Sequence, residues 1–134
     1  MMISAQHMQS LPEFFTDIPD PRRAQGQRHR LSTILAIAAG AILCGRQSYL
    51  AISDWAQSLG QKARERFGCR FHNKRYIVPS LFTIRDVLIR VDPVHLDCAL
   101  QRWNETYGSQ DESLSIDGKV MCNAIDDEGR QTHI

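Results

Sequence analysis

The stretch ILAIAAGAILC, from Ile34 to Cys44, constrains the fold more than any other part of the chain. Its 11 residues carry no charge. Leu31, Ile34, Leu35, Ala38 and Ile42 recur at three- and four-residue spacing, with Ile37 and Leu43 on the remaining side, so the period is helical. A helix that is apolar nearly all round belongs in the centre of a bundle. A bilayer crossing would need about 20 such residues, so this run is read as a buried helix. The opening MMISAQHMQSLPEFF has no basic residue, no long apolar run and no small-residue cleavage pattern. The expectation is a soluble, cytoplasmic protein without a membrane partner.

Around that centre the sequence predicts further helices with short connections. Leu11, Phe14 and Phe15 form an apolar turn before it, and Gly45 supplies its C-terminal stop. Ser48 can cap a helix whose Ile52, Trp55, Ala56 and Leu59 share one face, ended by Gly60. QKARERF (Gln61 to Phe67) is a short charged helical piece halted by Gly68. CRFHNKRYIVP (Cys69 to Pro79) reads as a loop with a short extended portion at Tyr76 to Val78. Ser80 caps the next helix, lined by Leu81, Ile84, Leu88 and Val91. Asp92 followed by Pro93 starts another, with Leu96, Leu100, Trp103 and Tyr107 as its stripe. Beyond Gly108 the period changes: LSID, KVMCNAI and RQTHI read as extended pieces around the turn DDEG. The expected fold is mainly α, a helical bundle over residues 1–108 followed by a short β-hairpin unit over 109–134.

Charge is unevenly placed. Residues 1–107 hold 14 Lys/Arg and 9 Asp/Glu, whereas 108–134 hold 2 and 6. The first part can meet a polyanion, and the second cannot do so without a metal. Cys44, Cys69, Cys98 and Cys122 lie far apart with no C-x-x-C pair, which points to free thiols rather than a disulfide framework or a zinc ribbon.

Three groups of residues can carry chemistry. The arm IPDPRRAQGQRHR (Ile18 to Arg30) has two prolines, a glycine and five basic side chains, and cannot form a regular buried element. Arg22, Arg23, Arg28, His29 and Arg30 suit phosphate oxygens; alternatively the arm is a solvated loop partly offset by Asp17 and Asp20. The two capped helices between residues 48 and 91 resemble a helix-turn-helix arrangement, with Thr83, Arg85 and Arg90 on the later helix. Their connection of about 20 residues is longer than the usual tight turn, and a plain bundle is the other reading. Asp117, at the end of a strand and before Gly118, could reach a metal ion, with Lys119 balancing its charge. Asp-Gly is equally the commonest hairpin dipeptide.

The segments Ile18 to Ala56, YIVPSLFTIRDVLIRVDP (Tyr76 to Pro93), SIDGK and DDEGRQTHI, in that order, resemble the N-terminal part of the H-repeat-associated transposases of bacterial insertion sequences. The likeness runs from Leu11 to Ile134. It implies a helical region preceding a ribonuclease-H-like α/β core with an Asp-Asp-Glu triad, in which Asp117 matches the first acid. It also implies that the complete enzyme uses Mg²⁺ for DNA transposition and binds the terminal repeats of its element. Asp126, Asp127 and Glu128 fall in a turn and do not match the other two acids. The chain is therefore expected to be catalytically incomplete by itself and to act by DNA contact. The alternatives are an interaction module regulating a full-length transposase, through hetero- or self-association, or an inert remnant.

Overall fold

The computed structural model describes residues 10–23 and 28–106. Among these, six α-helices and one two-stranded antiparallel hairpin follow in order: α1 (Leu11–Phe14), α2 (Leu31–Leu43), α3 (Tyr49–Ser58), α4 (Gln61–Phe67), β1 (Arg70–His72), β2 (Arg75–Ile77), α5 (Leu81–Arg90) and α6 (Pro93–Thr106). The mainly helical class expected from periodicity is the class observed. The strands expected within 109–134 lie outside the described residues.

α2 is the central helix. Ile34 through Ala39 are fully buried, and α1, α3, α4 and α5 all pack against it. Its end is closed as the sequence implies. Gly45 takes φ +87°, and the Arg46 and Gly45 amides donate to the carbonyls of Ala41 and Ile42 at 2.9 Å each. This pair of bonds is a Schellman closure, which needs a residue tolerant of positive φ at its corner. Gly40 serves a different need: a methyl group there would stand 2.9 Å from the Trp55 ring, so its absence lets α3 approach.

The helix starts are fixed by short polar caps. Ser48 Oγ accepts from the Ala51 amide at 3.0 Å and Ser80 Oγ from the Thr83 amide at 3.3 Å. Asp92 Oδ1 accepts from the Val94 amide at 2.9 Å, one residue past Pro93. α6 closes the bundle against α1. Its fully buried Trp103 donates Nε1–H to Ser10 Oγ at 3.2 Å, and Arg102 donates to the Phe14 carbonyl at 3.3 Å.

One sequence expectation is corrected. CRFHNKRYIVP is not a loop with an extended tail: it is the β1–β2 hairpin, paired Arg70 with Ile77, Phe71 with Tyr76 and His72 with Arg75. Asn73 and Lys74 form the two-residue turn, with φ 52° and 64°. Left-handed φ at both positions gives the turn whose twist matches paired strands, and Asn tolerates it better than most residues. Lys does not, so the turn is held by what surrounds it.

Candidate nucleic-acid interface

The arm between α1 and α2 is shaped by one of its own arginines. Arg22 is 7% exposed. Its guanidinium donates to both carboxylate oxygens of Asp20, at 2.9 and 2.8 Å, and to the His29 carbonyl at 2.7 Å. The Asp20 carboxylate also accepts from the Arg22 amide at 2.9 Å. Burial pushes the Asp20 carboxyl upward, yet the hydrogen bonds and charge of Arg22, helped by Arg90, more than offset this and hold it below the usual 3.8. Arg22 thus ties the start of the arm to its end. Arg90 adds a second tie from α5, donating to the Pro21 carbonyl at 2.7 Å and pairing with Asp86 at 3.1 Å.

Three other arginines of the arm face solvent. Arg23, Arg28 and Arg30 are exposed, and none makes an ion pair with a described residue. His29 lies half-buried between them, and its Nδ1 atom has no hydrogen-bond partner among the described residues. Burial, and then the charges of Arg70, Arg22 and Arg28, hold its imidazole below the usual 6.5.

The same corner is fixed by Thr33, in the first turn of α2. Its buried hydroxyl donates to the Phe67 and Gly68 carbonyls at 2.8 and 3.0 Å. A methyl group on Gly68 would meet that hydroxyl oxygen at 3.0 Å, and φ of +84° there independently favours glycine. The arm ends at Arg30 and the hairpin begins at Arg70, so this contact brings the two basic segments to one end of α2.

On α5 the polar residues singled out from the sequence make contacts within the chain at its surface. Thr83 Oγ1 lies 3.1 Å from Ser80 Oγ within the helix cap, and the Arg85 guanidinium stands 5.9 Å from the centre of the Tyr49 ring. Arg90 holds the arm. The connection between α3 and α5, which the sequence made too long for a helix-turn-helix, is filled by α4 and the hairpin.

Sequence reasoning missed the hairpin as a place for charge. Residues 61–78 contain six Lys/Arg and a single Glu. The signal that could have found it is this local excess, obscured by the near-neutral total of +1. Among the described residues, no three or more His, Cys, Asp or Glu come together to hold a metal ion. No helix there is long and apolar enough to cross a membrane. Asp117 lies outside the described residues.

Comparison with known proteins places this architecture. The chain is 31% identical over 112 residues to "Uncharacterized protein in dhlA 3'region" of Xanthobacter autotrophicus, covering 81% of this chain and 36% of that protein. It is 27% identical over 126 residues to "H repeat-associated putative transposase YbfD" of Escherichia coli, covering 92% and 48%. "Putative protein YbfL" of the same organism is 27% identical, covering 92% and 32%. The chain thus spans half or less of the length of these relatives, and its homology to the transposase relative is distant but extends over most of its residues. No solved structure matches the chain. Residues 12–104, from α1 to the last turns of α6, match the family described as DDE_Tnp_1-associated, and the chain belongs to that family.

Proposed function

We propose that this chain is the DNA-contacting helical part of an Asp-Asp-Glu transposase of a bacterial insertion sequence, and that it engages duplex DNA through the arm. The observation that carries this reading is the division of labour among the arm's arginines. Arg22 is buried and spent on Asp20 and the His29 carbonyl. Arg23, Arg28 and Arg30, exposed and without described acidic partners, flank the residues that this brace ties together. Exposed guanidinium groups suit phosphate oxygens. Family membership and homology to an H-repeat-associated relative support the transposase setting.

The contacts made by Thr83, Arg85 and Arg90 give α5 a supporting part in this reading, with Arg90 positioning the arm rather than reading a groove. The role of Asp117 as first acid, and Mg²⁺ as the ion it would help to hold, rest on the resemblance alone and belong to the complete enzyme. No catalytic step is assigned to the described residues.

The test is a salt titration of binding to a duplex carrying the element's terminal repeats. Each phosphate contact contributes about −0.9 to the slope of log K against log salt, so replacing Arg23, Arg28 and Arg30 by Ala should flatten the slope by about 2.7. Arg22→Ala should also weaken binding, while lowering the unfolding midpoint, because it removes the brace. A triple variant with an unchanged slope refutes the arm as the contact.

A further inference from the structure

The β1–β2 hairpin carries three basic side chains, Arg70, Lys74 and Arg75, and touches the core through Tyr76. The side chains of Arg70, Lys74 and Arg75 make no hydrogen bond or ion pair with any described residue. Residues that pair directly across antiparallel strands share a face, so Arg70, His72, Arg75 and Ile77 lie on one side of the ribbon and Phe71 and Tyr76 on the other. The second side carries a ring pair with centroids 4.9 Å apart, and Phe71 remains 61% exposed. The first side borders a recess of about 310 Å³ whose walls include His72, Asn73 and Arg75 from the hairpin and Gln57 from α3.

This ribbon is mounted, not loose. Tyr76 turns its backbone outward toward α4, where Gln61 accepts from its amide at 2.7 Å and donates to its carbonyl at 3.2 Å. Arg64, itself buried and lining the recess, donates to the same carbonyl at 3.0 Å. Two three-residue strands would not persist alone in water, so these bonds fix where the basic face points. Lys74, exposed in the hairpin turn, keeps a left-handed φ of 64°, costly for a side-chain-bearing residue.

We propose that the hairpin is a second contact for duplex DNA, continuous with the arm, in which Arg70, Lys74 and Arg75 meet the phosphates of the backbone. The occupant is chosen by charge: three cationic side chains without described partners on one short ribbon complement a polyanion. Its position is chosen by the Thr33 contact, which sets the hairpin at the arm's end of α2. The proposal rests on the reading that the chain binds duplex DNA, and it adds a site which that reading does not require. The opposite end of α2 provides a control. Arg46 is exposed there, separated from the arm by a helix of 13 residues, about 20 Å at 1.5 Å per residue.

The experiment compares four full-length chains on one terminal-repeat duplex by fluorescence anisotropy across a salt series: wild type, Lys74→Gly, the triple variant Arg70→Gln, Lys74→Gly, Arg75→Gln, and Arg46→Gln. Glycine suits left-handed φ, so Lys74→Gly removes charge while easing the turn, and its unfolding midpoint should equal or exceed that of wild type. Each lost phosphate contact flattens the slope by about 0.9, or about eightfold in affinity at 0.1 M salt. Lys74→Gly should show about one such loss and the triple variant up to about three, with Arg46→Gln unchanged. A wild-type slope retained by both hairpin variants overturns the hairpin contact while leaving the arm reading intact. No duplex binding by wild type overturns both. Tighter binding of single strands or RNA than of the duplex, lost with the hairpin charges, overturns the duplex assignment.

Discussion

Arg64 is the residue on which the hairpin's placement most depends, and replacing it has a calculable cost. It is 8% exposed and donates to three backbone carbonyls: Nε to Leu59 at 2.8 Å, Nη1 to Tyr76 at 3.0 Å and Nη2 to Gln57 at 2.9 Å. No carboxylate accompanies it in these bonds. One guanidinium therefore joins the end of α3, the α3–α4 connection and β2. Arg64→Met keeps the stem and removes the donors. A hydrogen bond from a charged donor contributes about 1.5–3 kcal/mol, so three would give about 4.5–9. Relief from holding a charge away from water offsets several kcal/mol of that. A net loss of about 3 kcal/mol follows, a large part of the ~5–15 kcal/mol available to a domain. Arg64→Lys retains charge but lacks the planar fork, and should lose about 1–2 kcal/mol. Guanidinium unfolding followed by Trp55 and Trp103 fluorescence measures both, and faster exchange of the Tyr76 amide would report release of the hairpin. If Arg64→Met costs less than about 0.5 kcal/mol, the three bonds do not organise this region.

Two further predictions concern groups left without partners. Tyr49 is 1% exposed and its hydroxyl has no hydrogen-bond partner among the described residues, so Tyr49→Phe should stabilise the chain by about 1 kcal/mol; a loss of similar size would mean that the hydroxyl is satisfied. His29 is held below its usual 6.5 in the folded state by burial and by Arg70, Arg22 and Arg28. The unfolded chain therefore binds the extra proton first, and stability falls as pH drops through about 6.5 and below. Thermal unfolding midpoints should decline more steeply from about pH 7 to pH 5.5 in wild type than in His29→Gln, and parallel curves would refute this.

Most of the helical frame was legible because each start or stop has a local cause. Ser48, Ser80 and the Asp92-Pro93 pair announce helix starts through side chains that accept nearby amides, and Gly45 and Gly68 announce stops through left-handed φ. α2 was legible from its apolar circumference. The hairpin was not, because its cause is remote in sequence. RFH and RYI are too short to show alternation, and Asn73-Lys74 lacks the glycine that marks such turns. What makes them strands is the grip of Gln61 and Arg64 on Tyr76, fifteen and twelve residues away. The arm was half legible. Its charge could be read directly, but composition does not say which arginine turns inward to Asp20, and that choice gives Arg22 a different task from Arg23.

The central claim, that this chain contacts DNA as part of a transposase, is tested most directly by titrating the purified 134-residue protein against two duplexes across a salt series. One carries the terminal repeats of its element and the other the same bases scrambled. The account predicts binding to both with a slope of about −5, from three arm and three hairpin contacts at about 0.9 each, and tighter binding to the repeats. A slope near zero, or no binding to either duplex, would contradict it.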